Sequence, residues 1–233
     1  MLISGLQKMT LLDYPGLVAC TVFTGGCNFR CPFCHNASLV LPEAMQPSDL
    51  DPETVLSFLK KRRGLLDGVA VTGGEPLLHA DMADFLREVK ALGFRVKLDT
   101  NGTFPDRLIS LVEEKLVDRV AMDIKNAPAL YARTAGLETM DMAAVMKSRN
   151  FLLSGSVEYE FRTTVVRGLH TRESLIEAAR WIEGAQAYFL QQFRDSGELI
   201  SPDGLGAFSD AEMHALLEAV LPIIPTAQLR GVD

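Results

Sequence analysis

Short apolar runs alternate with amphipathic stretches along most of this chain, and the alternation predicts its elements. Leu17–Phe23 is rich in β-formers and bracketed by Pro15-Gly16 and Gly25-Gly26, which reads as a strand. Gly68–Thr72, Phe94–Asp99, Arg119–Asp123, Tyr159–Val166 and Ala187–Gln192 read the same way. Between them lie helical patterns. Asp51-Pro52-Glu53 opens a helix reaching about Arg63, with Pro52 suited to a first turn and Val55, Leu56 and Leu59 at helical spacing. Asp81–Leu92 places Phe85, Leu86 and Val89 on one face and ends at Gly93. Pro105–Leu116, Thr139–Leu153, Thr171–Ile182 and Asp210–Leu221 complete the set. Apolar strands separated by amphipathic helices predict a parallel sheet covered by helices, an α/β fold. The sequence shows no repeat and no linker-like tract; Leu41–Asp51, with Pro42 and Pro47, reads as a loop.

Polar residues gather where the predicted strands end. Cys27, Cys31, Cys34, Glu75, Asp99, Asn101, Asp123, Lys125, Arg162 and Gln192 all fall at or just after a strand. In a barrel-like parallel sheet that rim is where sites are built. The cysteines are the sharpest signal. Three of the four in the chain sit in Gly25-Gly26-Cys27-Asn28-Phe29-Arg30-Cys31-Pro32-Phe33-Cys34-His35-Asn36, spaced C-x3-C-x2-C. Three thiolates suit three irons of a four-iron, four-sulfur cluster and leave the fourth iron open to a ligand. A closed zinc site wants four ligands, and here the second pair is missing: His79, His170 and His214 are scattered. Clustered cysteines in a chain without a secretory signal point to metal or catalysis rather than disulfides. Cys20, inside a predicted strand, reads as a small buried apolar residue. Phe29 and Phe33 would pack around the cluster and control solvent access.

Gly73-Gly74-Glu75-Pro76 follows a buried strand. Its glycines allow close backbone approach, and Glu75 is able to accept from an ammonium. Asp99 and Asp123 end neighbouring strands; they would share a proton, hold a cation or lie solvated in loops. Lys125 and Arg162 would pair with a carboxylate or remain surface charges.

Composition sets outer bounds. The 233 residues are 48% hydrophobic and 23% charged, ordinary for a globular protein with a full core. A net charge of −7 disfavours nucleic acid as a partner, and no apolar stretch is long enough for a bilayer span. A cytoplasmic protein with reduced thiols is the expectation.

Cys27-x3-Cys31-x2-Cys34 with Phe33 resembles the cysteine motif of the radical S-adenosylmethionine family, and Gly73-Gly74-Glu75-Pro76 resembles that family's second motif. Cys34-His35-Asn36, Asp99-Thr100-Asn101-Gly102 and Asp123-Ile124-Lys125 are similar to the glycyl-radical-enzyme activases. Asp13-Tyr14-Pro15-Gly16 and Gln191-Gln192-Phe193-Arg194 are most similar to the activating proteins of anaerobic ribonucleoside-triphosphate reductase. The resemblance runs from about Gly5 to Arg194.

It implies a partial (β/α)6 barrel in a single domain, 1–233, with a core over about 17–194 and a C-terminal helical extension over about 195–233. Cys27, Cys31 and Cys34 would ligate a 4Fe-4S cluster, and S-adenosylmethionine would chelate the open iron. Gly73, Gly74 and Glu75 would hold its amino group, Phe33 its adenine through the backbone, and Lys125 and Arg162 its carboxylate. Asn101 and Gln192 would complete the cofactor wall, Gln192 standing roughly where relatives place a histidine. Asp99, Thr100 and Asp123 would hold a monovalent cation. The implied reaction takes an electron from flavodoxin or ferredoxin, cleaves S-adenosylmethionine and abstracts hydrogen from a glycine of a partner enzyme, anaerobic ribonucleotide reductase. Pyruvate formate-lyase or another glycyl radical enzyme is the alternative target. A non-catalytic metal-binding scaffold is the alternative from another class, and it would have no use for Gly73–Pro76 or the acidic strand ends.

Overall fold

The computed structural model describes residues 1–41, 48–195 and 197–232. Most of the loop expected over Leu41–Asp51 therefore lies outside the described residues. Eight strands form one open sheet in sequence order: β1 (Ile3–Thr10), β2 (Ala19–Thr24), β3 (Gly68–Gly73), β4 (Arg95–Thr100), β5 (Arg119–Asp123), β6 (Glu158–Val165), β7 (Tyr188–Gln192) and β8 (Ala227–Arg230). β1 runs antiparallel to β2, and every later neighbour is parallel. The helices are α1 (Ala37–Val40), α2 (Pro52–Lys60), α3 (Met82–Ala91), α4 (Pro105–Glu113), α5 (Tyr131–Thr134), α6 (Ala143–Leu153), α7 (Arg172–Trp181) and α8 (Asp210–Val220). Each of β2 to β7 is thus followed by helix, which is the expected partial (β/α)6 barrel, and all the predicted strands and long helices are present within a few residues.

Local chemistry explains the helix starts. Asp51 caps α2 by accepting from Thr54 N at 2.7 Å, with Pro52 in the first turn. Thr171 with Ser174, and Ser209 with Glu212, close capping boxes on α7 and α8. On α3 the buried residues Met82, Phe85, Leu86 and Val89 recur at helical spacing and face the sheet. The outward faces of the strands meet them: Val69, Val71, Val96, Leu98, Val120, Met122, Tyr159 and Phe161 are buried in the core between sheet and helices.

Two strands depart from the sequence reading. β1 adds an antiparallel strand before the parallel set, and β8 lies inside the stretch expected to be a helical extension, so that stretch contributes α8 and an eighth strand. Among the described residues no helix is long and apolar enough to cross a membrane.

Candidate active site

The cysteine loop leaves the C-terminal end of β2 and is fastened from several sides. Arg30 folds back on its own loop, donating from Nη1 to the Cys27 and Phe29 carbonyls at 2.6 and 2.8 Å. Its backbone N donates to the Ala135 carbonyl at 2.9 Å, and Ser201 N donates to the Pro32 carbonyl at 3.0 Å. Phe29 and Phe33 are buried beneath the loop, as expected for residues that shield a cluster. Cys31 is buried, whereas Cys27 and Cys34 are partly exposed. All three border a cavity of about 240 Å³ at the mouth of the barrel. Cys20 lies apart from them, fully buried in β2.

The donor set fits an iron–sulfur cluster. Burial pushes all three thiols up, Cys31 to about 12, so they stay protonated near neutral pH until metal displaces the proton. Among the described residues no three His, Cys, Asp or Glu side chains converge on one point tightly enough for a single ion. A cluster asks for three separate thiolates, because each binds a different iron. Two donors reach the Cys27 sulfur: Phe29 N at 3.3 Å and Asn101 Nδ2 at 3.9 Å. Hydrogen bonds to cluster sulfur raise its potential. Asn101→Ala should therefore shift the midpoint of the reconstituted cluster to more negative values, as read by potentiometric titration.

The glycine pair is the second wall. Gly73 takes φ +115°, and a Cβ there would stand 2.4 Å from Thr24 backbone atoms; a Cβ on Gly74 would stand 1.9 Å from the Gly26 carbonyl oxygen. Only glycine allows this approach. The contact is bolted by Gly74 N to Thr24 O and Glu75 N to Gly26 O, both 2.8 Å, and by Asn36 Nδ2 to Gly73 O at 3.1 Å. The glycine edge and the cysteine loop are thus one rigid unit.

Glu75 turns out to face inward. It is 1% exposed, and its carboxylate accepts from Thr100 Oγ1 at 2.8 Å, Asn101 N at 2.7 Å and Leu77 N at 3.0 Å. Burial pushes it up to about 7 against the pull of those donors. It does not line the cavity, and its hydrogen bonds tie the end of β4 to the glycine turn.

The third wall is charged. Arg162 donates from Nη1 to Asp99 Oδ2 and from Nη2 to Asp123 Oδ1, both at 2.9 Å. Lys125 Nζ donates to Asp123 Oδ2 at 2.9 Å, and Lys97 Nζ donates to Asp99 Oδ1. Burial alone would raise both carboxyls, but the cations outweigh it, and Asp123 is held down to about 2. Every oxygen of the two carboxylates therefore already accepts from a cationic side chain. Thr100 has its hydroxyl engaged by Glu75. Lys97 thus occupies one oxygen of Asp99, on the side away from Arg162.

Gln192 does not line the cavity. Its amide turns away to the Phe208 carbonyl at 3.0 Å and Asp210 Oδ1 at 2.8 Å, while its neighbour Gln191 borders the cavity. Phe33, Gly73, Gly74, Asp99, Thr100, Asn101, Asp123, Lys125 and Arg162 also border it. Lys97 is not read as a site residue from the sequence, and Gln191 and Asn36 stand within motifs without a role of their own. Lys97 shares strand parity with Asp99, but that spacing alone does not say that it is buried.

The sequence pattern of the Radical SAM superfamily matches residues 21–150, more than half of the chain. A protein of Methanocaldococcus jannaschii, provisionally named a glycyl-radical enzyme activating enzyme, is 31% identical over 198 residues, covering 82% of this chain and 80% of its own. Among solved structures, Streptococcus suis SuiB bound to S-adenosylmethionine superposes with a TM-score of 0.71 at 14% identity, over 89% of this chain and 49% of SuiB. A domain of pyruvate-formate lyase-activating enzyme from Bacteroides vulgatus superposes with a TM-score of 0.58 at 15% identity, over 70% of this chain and 99% of that domain. This chain spans about half of SuiB, and at these identities the superpositions speak for the fold. With the cysteine loop, the glycine edge and the matched sequence pattern in agreement, the chain belongs to the radical SAM superfamily, whose members use a 4Fe-4S cluster and S-adenosylmethionine.

Proposed function

We propose that this enzyme is a glycyl-radical-enzyme activase and that its target is an anaerobic ribonucleoside-triphosphate reductase. The activase reading is carried by the Methanocaldococcus jannaschii relative, which aligns along most of both chains. The choice of reductase rests on Asp13-Tyr14-Pro15-Gly16 and on Gln191-Gln192-Phe193-Arg194. Gln191 of the second run borders the cavity, and Phe193 packs on the His35 ring at 5.5 Å between centroids, so that run lies against the cysteine loop. The first run lies at the opposite end of β2, where Asp13 accepts from Thr21 Oγ1 and Tyr14 is buried; its role is to turn the chain between β1 and β2.

Each wall has a separate task. Cys27, Cys31 and Cys34 would hold the cluster. The Gly73-Gly74 edge would offer backbone groups to the methionine end of S-adenosylmethionine, and Arg162 and Lys125 would pair with its carboxylate. When bound, the two cofactors supply the one-electron cleavage of the sulfonium; the protein orients them and keeps water out. Phe29 and Phe33 close the floor against solvent. The partner would present its glycine on a loop entering the barrel mouth, and the electron would come from flavodoxin or ferredoxin.

The test is anaerobic. The reconstituted protein is mixed with reductant, S-adenosylmethionine and a candidate reductase, and glycyl radical is sought by electron paramagnetic resonance. Radical on the reductase is the expected result. Radical on pyruvate formate-lyase and none on the reductase would reassign the target.

A further inference from the structure

Lys97 stands two residues before Asp99 on β4, so both side chains project from the same face of the strand. It is 2% exposed, and lysine is almost never buried this deeply unless paired. Its ammonium donates to Asp99 Oδ1, and Asp99 Oδ2 in turn holds Arg162 Nη1 at 2.9 Å. Glu160, the next buried acid on that side, does not claim it: its two oxygens accept from Arg119 and Arg230 at 2.8 and 2.9 Å. Around Asp99 and Asp123 there are thus three cationic side chains, Lys97, Lys125 and Arg162, for two carboxylates. A dissolved cation entering here would meet oxygens already in use and add to a local excess of positive charge. An incoming carboxylate meets the opposite balance.

We propose that the Lys97 ammonium is a tethered monovalent cation. It supplies the positive charge that a dissolved Na⁺ or K⁺ would supply beside Asp99, and it makes S-adenosylmethionine binding indifferent to the dissolved monovalent cation. Lys97 does not border the cavity. It acts through Asp99 on the aim of the Arg162 guanidinium and is a positioning residue. This rests on the reading of the cavity as the S-adenosylmethionine site.

The experiment titrates S-adenosylmethionine into cluster-loaded protein in Na⁺, K⁺, Cs⁺ and tetramethylammonium at one ionic strength. For the unaltered protein the four dissociation constants should agree within about twofold. For Lys97→Met, affinity should fall by roughly tenfold or more in tetramethylammonium, because a buried carboxylate has lost one partner. It should return in the small cation that best fits the vacated space, and Lys97→Arg should stay indifferent to the cation. A several-fold cation dependence of the unaltered protein overturns the inference, even if Lys97→Met does not fold. Equal weakening of Lys97→Met in all four salts also overturns it, because a role confined to packing would respond to no cation. Absence of binding to the unaltered protein in every salt brings down the cavity reading itself, and the inference with it.

Discussion

Gly74→Ala should abolish S-adenosylmethionine binding and cluster retention together. The added methyl would sit 1.9 Å from the Gly26 carbonyl oxygen, and that neighbour is backbone that cannot swing aside. To make room, the glycine edge must part from the base of the cysteine loop. Parting would break Gly74 N to Thr24 O and Glu75 N to Gly26 O. It would also carry Glu75 away from Thr100 and Asn101, unmaking the join between β3 and the end of β4. Three effects should therefore appear at once: iron and sulfide content after reconstitution below half of the unaltered protein's, no measurable S-adenosylmethionine affinity, and thermal unfolding lowered by roughly 2–4 kcal/mol. Gly93→Ala is the control. Gly93 has positive φ, unlike Gly74, but a Cβ there meets nothing within 4 Å. It should cost about 1 kcal/mol of stability and leave the site intact.

Arg162→Met should be the most damaging change on the charged wall. Among the described residues the guanidinium is the one group bonded to both Asp99 and Asp123, and all three side chains are largely withdrawn from water. Removing it leaves two carboxylates short of a partner, and breaking a buried pair this way costs about 3–5 kcal/mol. The pH dependence has a definite sign. Asp123 is held near 2, below its ordinary 3.8, so the stability it contributes is present above about pH 4 and is lost as pH falls toward 2. Without Arg162 its carboxyl rises, so less of that stability exists to be lost. The gap between the unaltered protein and Arg162→Met should be widest near neutral pH and narrow on acidification. Denaturant melts at pH 7 and pH 3 measure this; a gap that widens in acid would contradict the ion-pair account.

The legible parts of this molecule were those where local pattern and tertiary role coincide. The six parallel strands announce themselves because both their faces are covered, which leaves short apolar runs between amphipathic helices. The cysteine loop and the glycine pair are contiguous motifs and needed no third dimension. β1 escaped because Ile3–Thr10 is an edge strand: only its two end residues are buried, and bulges interrupt its pairing with β2. β8 escaped because four residues, Ala-Gln-Leu-Arg, with only Ala227 buried, carry no period.

Within the site the least legible feature was side-chain direction. Gln191 and Gln192 differ by one position on β7, and in a strand one position reverses the face. Glu75 lies two residues past Gly73, whose backbone takes φ +115°, so no alternation rule predicts where its carboxylate goes. Lys97 in Arg-Val-Lys-Leu-Asp looks like a solvated strand charge. Its burial comes from Asp99 and from the charged lumen that β5 and β6 bring alongside, which sequence spacing on β4 does not reveal.

The central claim is that three thiolates at the barrel mouth hold a cluster on which S-adenosylmethionine is reductively cleaved. The most direct measurement is 5′-deoxyadenosine formed by anaerobically reconstituted protein with dithionite and S-adenosylmethionine, alongside Cys31→Ala. The unaltered protein should form 5′-deoxyadenosine, and Cys31→Ala should form none. Absence of product from protein with an intact, reducible cluster, with the candidate reductase also in the tube, would contradict it.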